Sequence, residues 1–267
     1  MRTSADEGGP PSAALRVKTV TAGYGQMMVI HDVSLAAHRG KVCAIVGPNG
    51  AGKSTALKAI VGEANVSAGV VSLGSNVVSG RRSDELARSG IGYVPQIKDV
   101  FTKLTVRENL EIGGHHERRE QVRERIEEVL EVFPQLTSMR SRRAGNLSGG
   151  ERKMLAIARA LMARPSVILL DEPTANLSPK LAQTLLREHV GQLAARGAAV
   201  LIVEQRAVEA LAIADYAYLM IGGRVALELE ASAMLARGDI AELFLGQSST
   251  ASGHGARSRT AQLGTAQ

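Results

Sequence analysis

Three short stretches of the chain carry residue types that could do phosphate chemistry. The first, GPNGAGKST at 47–55, fits the spacing G-x-x-x-x-G-K-[ST] through Gly47, Gly52, Lys53 and Ser54. Glycines let successive backbone amides wrap an anion, Lys53 can reach the outer phosphates, and Ser54 offers an oxygen to Mg2+. The second is the acidic pair Asp171-Glu172, which closes the apolar run VILLD. A metal-bound phosphate needs a carboxylate near the ion, and in-line attack needs a group that positions or deprotonates water. Asp171 suits the first task and Glu172 the second. Alone, two acids after a strand are more often a helix cap or a surface turn, but an upstream phosphate loop reverses that weighting. The third is NLSGGERKMLAIARALMARP, where Met154 to Ala163 reads as a buried helix ended by Pro165. Two glycines stand at its head, and each weakens a helix by about 1 kcal/mol relative to alanine. Ser148 and Glu151 have the spacing of a capping box, and bare amides at a helix N-terminus also suit an anion. The local residues leave both readings open.

A scaffold must bring these stretches together. LRVKTVTAGYG and MMVIHDVSLAAHRG read as β segments with turn punctuation, and VCAIV is a short buried strand running straight into the glycine-rich loop. A helix follows from Lys53, and then a charged stretch expected to be strand-poor. Within it, Val122, Ile126, Val129, Leu130 and Phe133 recur at helical spacing, and Pro134 closes that helix. SVILLDEP and AAVLIVEQ are strand-length apolar runs separated by an amphipathic helix, the pattern of parallel β-α-β units. AYLMIGGRVALEL reads as a late hairpin turning at Gly222-Gly223. The expected organisation is a disordered leader at 1–12, one domain at 13–247 with a helical insert at about 97–165, and a disordered tail at 248–267.

Composition is that of a soluble globular chain, 45% hydrophobic and 22% charged. The longest apolar run, Ala198 to Val203, is far below the ~18 residues of a membrane span, and the N-terminus has no apolar core of a secretory signal. A single cysteine, Cys43, excludes an internal disulfide and a cysteine-built zinc site, and its place in VCAIV makes it a core residue. The net charge of +6 raises the question of nucleic acid, and Arg140, Arg142, Arg143, Arg152 and Lys153 crowd around the Ser-Gly-Gly. A solvated basic face and attraction to phosphate are equally good readings of that cluster. With 3% aromatics and no Trp, the chain is poor in platforms for stacking single strands.

With the motifs in the order GPNGAGKST, VPQ ending at Gln96, LSGGE at 147–151 and VILLDEP at 167–173, the chain resembles the ATP-binding cassette ATPases from Leu15 to about Gly246. The resemblance implies an α/β phosphate-loop fold: a mixed, largely parallel β core, an N-terminal antiparallel β subdomain and an inserted α-helical subdomain. It also implies ATP and Mg2+ as cofactors, with nucleotide held by Gly47, Pro48, Asn49, Gly50, Ala51, Gly52, Lys53, Ser54 and Thr55. Tyr24, by itself an ordinary strand tyrosine, matches the aromatic that stacks on adenine. Gln96 matches the glutamine that senses Mg2+ or water and links the cassette to its membrane partner, so the implied metal set is Ser54, Gln96 and Asp171. In this family two cassettes pair head to tail, each LSGGE closing over the other's nucleotide. Ser148, Gly149 and Gly150 would then touch a γ-phosphate in trans, which the capping box alone does not explain.

Two departures stand out. Ser178 occupies the place of a frequent loop aspartate, and Gln205 in LIVEQ occupies that of a switch histidine, leaving His189 incidental. Gln205 is therefore expected to position the γ-phosphate or water while Glu172 supplies the base. VEQ, LSP and KMLAIARALM together resemble the second ATPase subunit of branched-chain amino-acid importers and their urea or amide relatives. That implies a homodimer or a paralogous cassette, separate permease subunits, an extracytoplasmic solute-binding protein acting indirectly, and a peripheral place on the cytoplasmic face of the membrane. A nucleic-acid-associated cassette ATPase is the competing class. It is disfavoured because the interval from Gln96 to Ser148 has no room for a long coiled-coil arm, and the chain has one cysteine and one phosphate loop. A small-molecule kinase would leave LSGGE without a task.

Overall fold

The computed structural model describes residues 13–97 and 99–237, so the leader and tail expected at 1–12 and 248–267 lie outside the described residues. Strands β1 (Ala13–Tyr24), β2 (Met27–His38) and β3 (Val42–Val46) lead to α1 (Lys53–Ile60). Then come β4 (Asn65–Leu73), β5 (Asn76–Val77), α2 (Ser83–Arg88) and β6 (Ile91–Val94). Helices α3 (Val106–Gly113), α4 (Arg119–Val132) and α5 (Gly149–Leu161) separate β6 from β7 (Val167–Asp171). They are followed by α6 (Pro179–Thr184), a π-helical turn at Leu185–Val190, α7 (Gly191–Ala195) and β8 (Ala199–Val203). The described chain closes with α8 (Ala207–Leu211), the expected hairpin of β9 (Tyr216–Ile221) and β10 (Arg224–Glu230), and α9 (Ala231–Leu235).

Two sheets result. One is antiparallel, in the order β2-β1-β4-β5; the other has the order β10-β9-β3-β8-β7-β6. In the second, all pairs from β9 to β6 are parallel and only β10 runs against its neighbour. Buried strands alternate their side chains between two layers. Cys43, Ile45, Leu169 and Leu201 pack toward the antiparallel sheet and α1, whereas Ala44, Leu170 and Ile202 pack toward α3–α9. A sheet covered on both faces needs apolar residues at every position, which is why β3, β7 and β8 are buried throughout.

The stretch after α1 is not strand-poor as expected, because it holds β4 and β6. β4 hides from a hydrophobicity reading because it is mostly exposed, with polar residues and a glycine inside NVSAGVVSL. Gly69 is required there: it has φ +87, and a Cβ would lie 2.3 Å from the Thr19 carbonyl oxygen where β1 bulges. Helix α5 starts earlier than expected, at Gly149, and stops at Leu161 rather than Ala163. Arg164, held out of the helical region by the following Pro165, has φ 49.

The π-helical turn places His189 in the core, where it has a structural task. Its Nδ1 lies 3.0 Å from the Val132 carbonyl oxygen and its ring centroid 4.7 Å from that of Phe133, so it fastens the end of α4. Burial pushes its pKa below the ordinary value, and only in part does the bond to Val132 oppose this. On acidification the unfolded chain therefore takes up the proton first. The stability contributed by neutral His189 is complete above about pH 6.5 and declines as pH falls toward the lower folded-state pKa. Thermal unfolding at pH 7.5 and 5.5 is expected to show a smaller acid-induced loss of Tm in His189→Gln than in the wild type.

Candidate active site

The parallel strands deliver their chemistry to one edge, the usual ligand-binding edge of such sheets. β3 runs into the loop 47–55, β7 ends at Asp171, and β8 is followed by Glu204 and Gln205. Asp171 is in register with Val203, so Glu172 and Glu204 leave the sheet from adjacent strands. The loop approaches β9 so closely that Gly47 is obligatory: a Cβ there, at φ +151, would sit 2.1 Å from the Met220 carbonyl oxygen. Gly52, at φ 92, turns the chain into α1 and leaves the first amides of that helix facing the loop. Ala51 and Thr55 are buried, Pro48 is half-buried, and Asn49 and Gly50 are exposed.

Lys53 is buried, and its Nζ donates to the carbonyl oxygens of Gly47 at 2.8 Å and Pro48 at 3.0 Å. Burial pushes its pKa down, and the carboxylates of Glu172, Asp171 and Glu204 pull it back up. Ser54 Oγ donates to Asp171 Oδ1 at 2.8 Å across 117 positions of sequence. Burial raises the pKa of Asp171, against the stabilising bond from Ser54 and the charge of Lys58. A hydroxyl and a carboxylate beside a phosphate loop fit Mg2+, which takes few protein oxygens and completes its shell with phosphate and water. Among the described residues no group of three or more His, Cys, Asp or Glu could hold a metal unaided. Such an ion would draw the rest of its shell from phosphate and water.

Glu172 has φ 45, a left-handed conformation that non-glycine residues rarely adopt and that costs about 1–3 kcal/mol. Its amide donates to the Val203 carbonyl oxygen at 2.9 Å, and its Oε2 accepts from Gln96 Nε2 at 2.6 Å. The strained turn thus hands the carboxylate to the glutamine. Tyr24 is exposed at the end of β1, with Lys58 Nζ 6.0 Å from its ring centroid. Gln205 is exposed, and its side chain makes no hydrogen bond with another described residue.

Two further residues hold this edge together in a role that nothing in the sequence pointed to. Lys153, on α5, is buried; its Nζ donates to the Gln96 carbonyl oxygen at 2.7 Å and lies 2.7 Å from Asp99 Oδ2. Glu204 is 2% exposed, and its Oε1 accepts from the Thr174 amide at 2.9 Å, tying the loop after Glu172 to the end of β8. Burial raises its pKa. Both residues sit next to recognisable motif positions, but their partners are distant in sequence.

Ser148 does form a capping box. Its Oγ accepts from the Glu151 amide at 3.3 Å, and Glu151 Oε2 accepts from the Ser148 amide at 2.7 Å. The glycines have no such explanation. A Cβ at Gly149 would lie 3.7 Å from Leu177 Cδ2, and one at Gly150 3.6 Å from Leu181 Cδ1, both ordinary contacts. Neither glycine has a positive φ. No hydrogen bond between described residues joins 148–150 to the loop 47–55. The basic residues around them mostly serve the chain itself. Arg140 pairs with Glu127, Arg142 and Arg152 cap the carbonyls of Asn146 and Leu147, and Lys153 is buried as described.

Residues 30–175 match the family described as ABC transporter. The chain belongs to the ABC transporter family. The cassette is 40% identical over 232 residues to a probable branched-chain amino acid transport ATP-binding protein of Archaeoglobus fulgidus, covering 87% of this chain and 98% of that one. Among solved structures, it is similar to an ATP-binding cassette of an ABC transporter in its ADP conformation, with a TM-score of 0.79 and 31% identity over 88% of this chain and 99% of the other. A bacterial ABC transporter cassette solved as a dimer matches with a TM-score of 0.71 and 27% identity, over 81% and 98% of the two chains. The cassette is therefore the ATP-hydrolysing, nucleotide-binding subunit of an ABC transporter. None of its described helices is long and apolar enough to cross a membrane.

Lys153 gives the anchoring of the Gln96 loop a direct test. Lys153→Met leaves Asp99 as an unpaired, mostly buried charge, expected to lower stability by about 3–5 kcal/mol in denaturant unfolding. Lys153→Met with Asp99→Leu is expected to recover most of that loss.

Proposed function

We propose that the cassette powers import of branched-chain amino acids, paired with a second copy or a paralogue beneath separate permease subunits on the cytoplasmic face of the membrane. An extracytoplasmic solute-binding protein would supply the solute. The name of the Archaeoglobus relative and the VEQ, LSP and KMLAIARALM stretches support the solute class. The observation that carries the catalytic reading is the bond from Gln96 to Glu172, 2.6 Å long, at the same edge as the Ser54–Asp171 pair.

In this reading the amides of 47–55 and Lys53 hold the phosphates of ATP, and Tyr24 stacks on adenine. Mg2+ would be held by Ser54, Asp171 and Gln96, and it neutralises phosphate charge when bound. Glu172 orients a water molecule and takes its proton as the water oxygen bonds to the γ-phosphorus; the bond to the ADP oxygen breaks and phosphate leaves. Gln96 fixes the carboxylate that does this. Gln205 donates its amide to the γ-phosphate but has no proton to gain or lose near neutral pH, unlike a histidine. Ser148, Gly149 and Gly150 come from the paired cassette. Backbone amides at the head of α5 can approach a phosphate only where side chains are absent, and their own chain does not require the glycines.

Lys53→Ala is expected to lose productive phosphate placement, and Glu172→Gln to bind ATP yet stall before hydrolysis. Size-exclusion chromatography with ATP is expected to show Glu172→Gln as a dimer, alone or with its paralogue. A monomer under both conditions counts against the paired site. In single-turnover hydrolysis by the assembled transporter, Gln205→Ala is expected to lose about 1.5–3 kcal/mol, or roughly ten- to a hundredfold in rate. An unchanged rate makes Gln205 a bystander.

A further inference from the structure

A second concentration of charge lies at the opposite edge of the parallel sheet, where the strands begin. Four arginines distant in sequence line a cleft of about 320 Å³ there: Arg39, Arg125, Arg164 and Arg196. Arg39 stands just before β3, Arg164 in the connection from α5 to β7, Arg196 just after α7, and Arg125 on α4. Among the described residues, the only acid lining the cleft is Glu128. It pairs with Arg125 at 2.7 Å and with Arg164 at 2.9 Å. The remaining nitrogens of Arg125, Nε and Nη2, donate to the Leu161 carbonyl oxygen, so this arginine is a fixed part of the wall. The guanidinium groups of Arg39 and Arg196 have no hydrogen bond or ion pair with any described residue.

Positive charge is therefore in excess among the lining residues. Burial lowers the pKa of Arg125; the hydrogen bond and charge of Glu128 raise it, against the neighbouring charges of Arg164 and Arg196. Val129, Leu161 and Ile168 also line it, and charges beside such buried apolar residues act at a lower effective dielectric than in bulk water. The volume is that of a small-ligand site, and free guanidinium forks match the paired oxygens of phosphate or carboxylate.

We propose that this cleft binds a small anion carrying at least two negative charges, of phosphate or carboxylate type, held by Arg39 and Arg196 over the Arg125–Glu128–Arg164 wall. The site is separate from the phosphate loop. An anion in it joins α4 to the amino edge of β3, β7 and β8, opposite the edge that carries Lys53 and Glu172.

The test uses inorganic pyrophosphate in magnesium-free buffer, with the Lys53→Ala protein as background so that the phosphate loop does not compete. Isothermal titration is expected to show one equivalent bound. Adding Arg39→Gln and Arg196→Gln should weaken binding at least tenfold. Adding instead Arg16→Gln and Arg81→Gln, at exposed arginines elsewhere, should leave it within twofold. Thermal unfolding checks that both double substitutions leave the fold intact, as expected for side chains without partners. Absence of binding, equal affinity after the Arg39 and Arg196 changes, or an equal loss in the control pair overturns the proposal. So does binding to phosphatidylglycerol vesicles without binding of free pyrophosphate, which would place the anion in a lipid headgroup.

Discussion

One buried ammonium among three carboxylates sets the conditions for the rest of the active edge. Lys53 is pushed toward neutrality by burial and held charged by Glu172, Asp171 and Glu204. Asp171 and Glu204 are themselves pushed toward protonation by burial. Such a set is tolerable only where each charge has a partner, because an unpaired buried charge is far more costly than a paired one. The fold provides the partners through parallel register. β3, β7 and β8 end at the same level, so a lysine, a serine and three acids from remote parts of the chain meet at one place. In the proposed reading, nucleotide phosphates would bring negative charge to Lys53, and Mg2+ positive charge to the acids. Each would relieve what the protein alone leaves partly balanced.

The second layer of control is mechanical. The Gln96 loop is held from α5 by Lys153, and Gln96 in turn holds Glu172. The helix that begins with Ser148-Gly149-Gly150 is thus joined, through one buried lysine, to the loop that fixes the carboxylate. Movement of that helix against a partner would be felt at Glu172 without any change in the sheet. Glu204 makes a similar link on the other side, from the end of β8 to the loop that follows Glu172.

Much of this was legible in the sequence because the chemistry is local there. The phosphate loop, the acidic pair and the capping box each lie within a few residues, and VCAIV and VILLD announce doubly covered strands. β4 was not legible, since an exposed strand interrupted by Gly69 has neither a continuous apolar run nor a clean alternation. Lys153 and Glu204 were not legible either. A charged residue inside an amphipathic helix or at a strand end reads as solvated until its distant partner is known. The basic cluster near Ser148 stayed open for the same reason: Arg140 and Lys153 face Glu127 and Asp99, and Arg142 and Arg152 face the carbonyls of Asn146 and Leu147.

If this chain holds half of each site it serves, the glycines at the head of α5 are where that shows. Their own chain would accept alanine at both positions, with ordinary contacts and helical backbone. Alanine in a helix interior is favoured over glycine by about 0.5–1 kcal/mol. The decisive measurement pairs thermal unfolding of Gly149→Ala with Gly150→Ala against ATP hydrolysis by the assembled transporter carrying the same change. The expected result is a Tm equal to or above that of the wild type, nucleotide binding to the isolated cassette retained, and hydrolysis lost by at least a hundredfold. A fall in Tm that accounts for the lost activity, or full hydrolysis with both alanines in place, would contradict it.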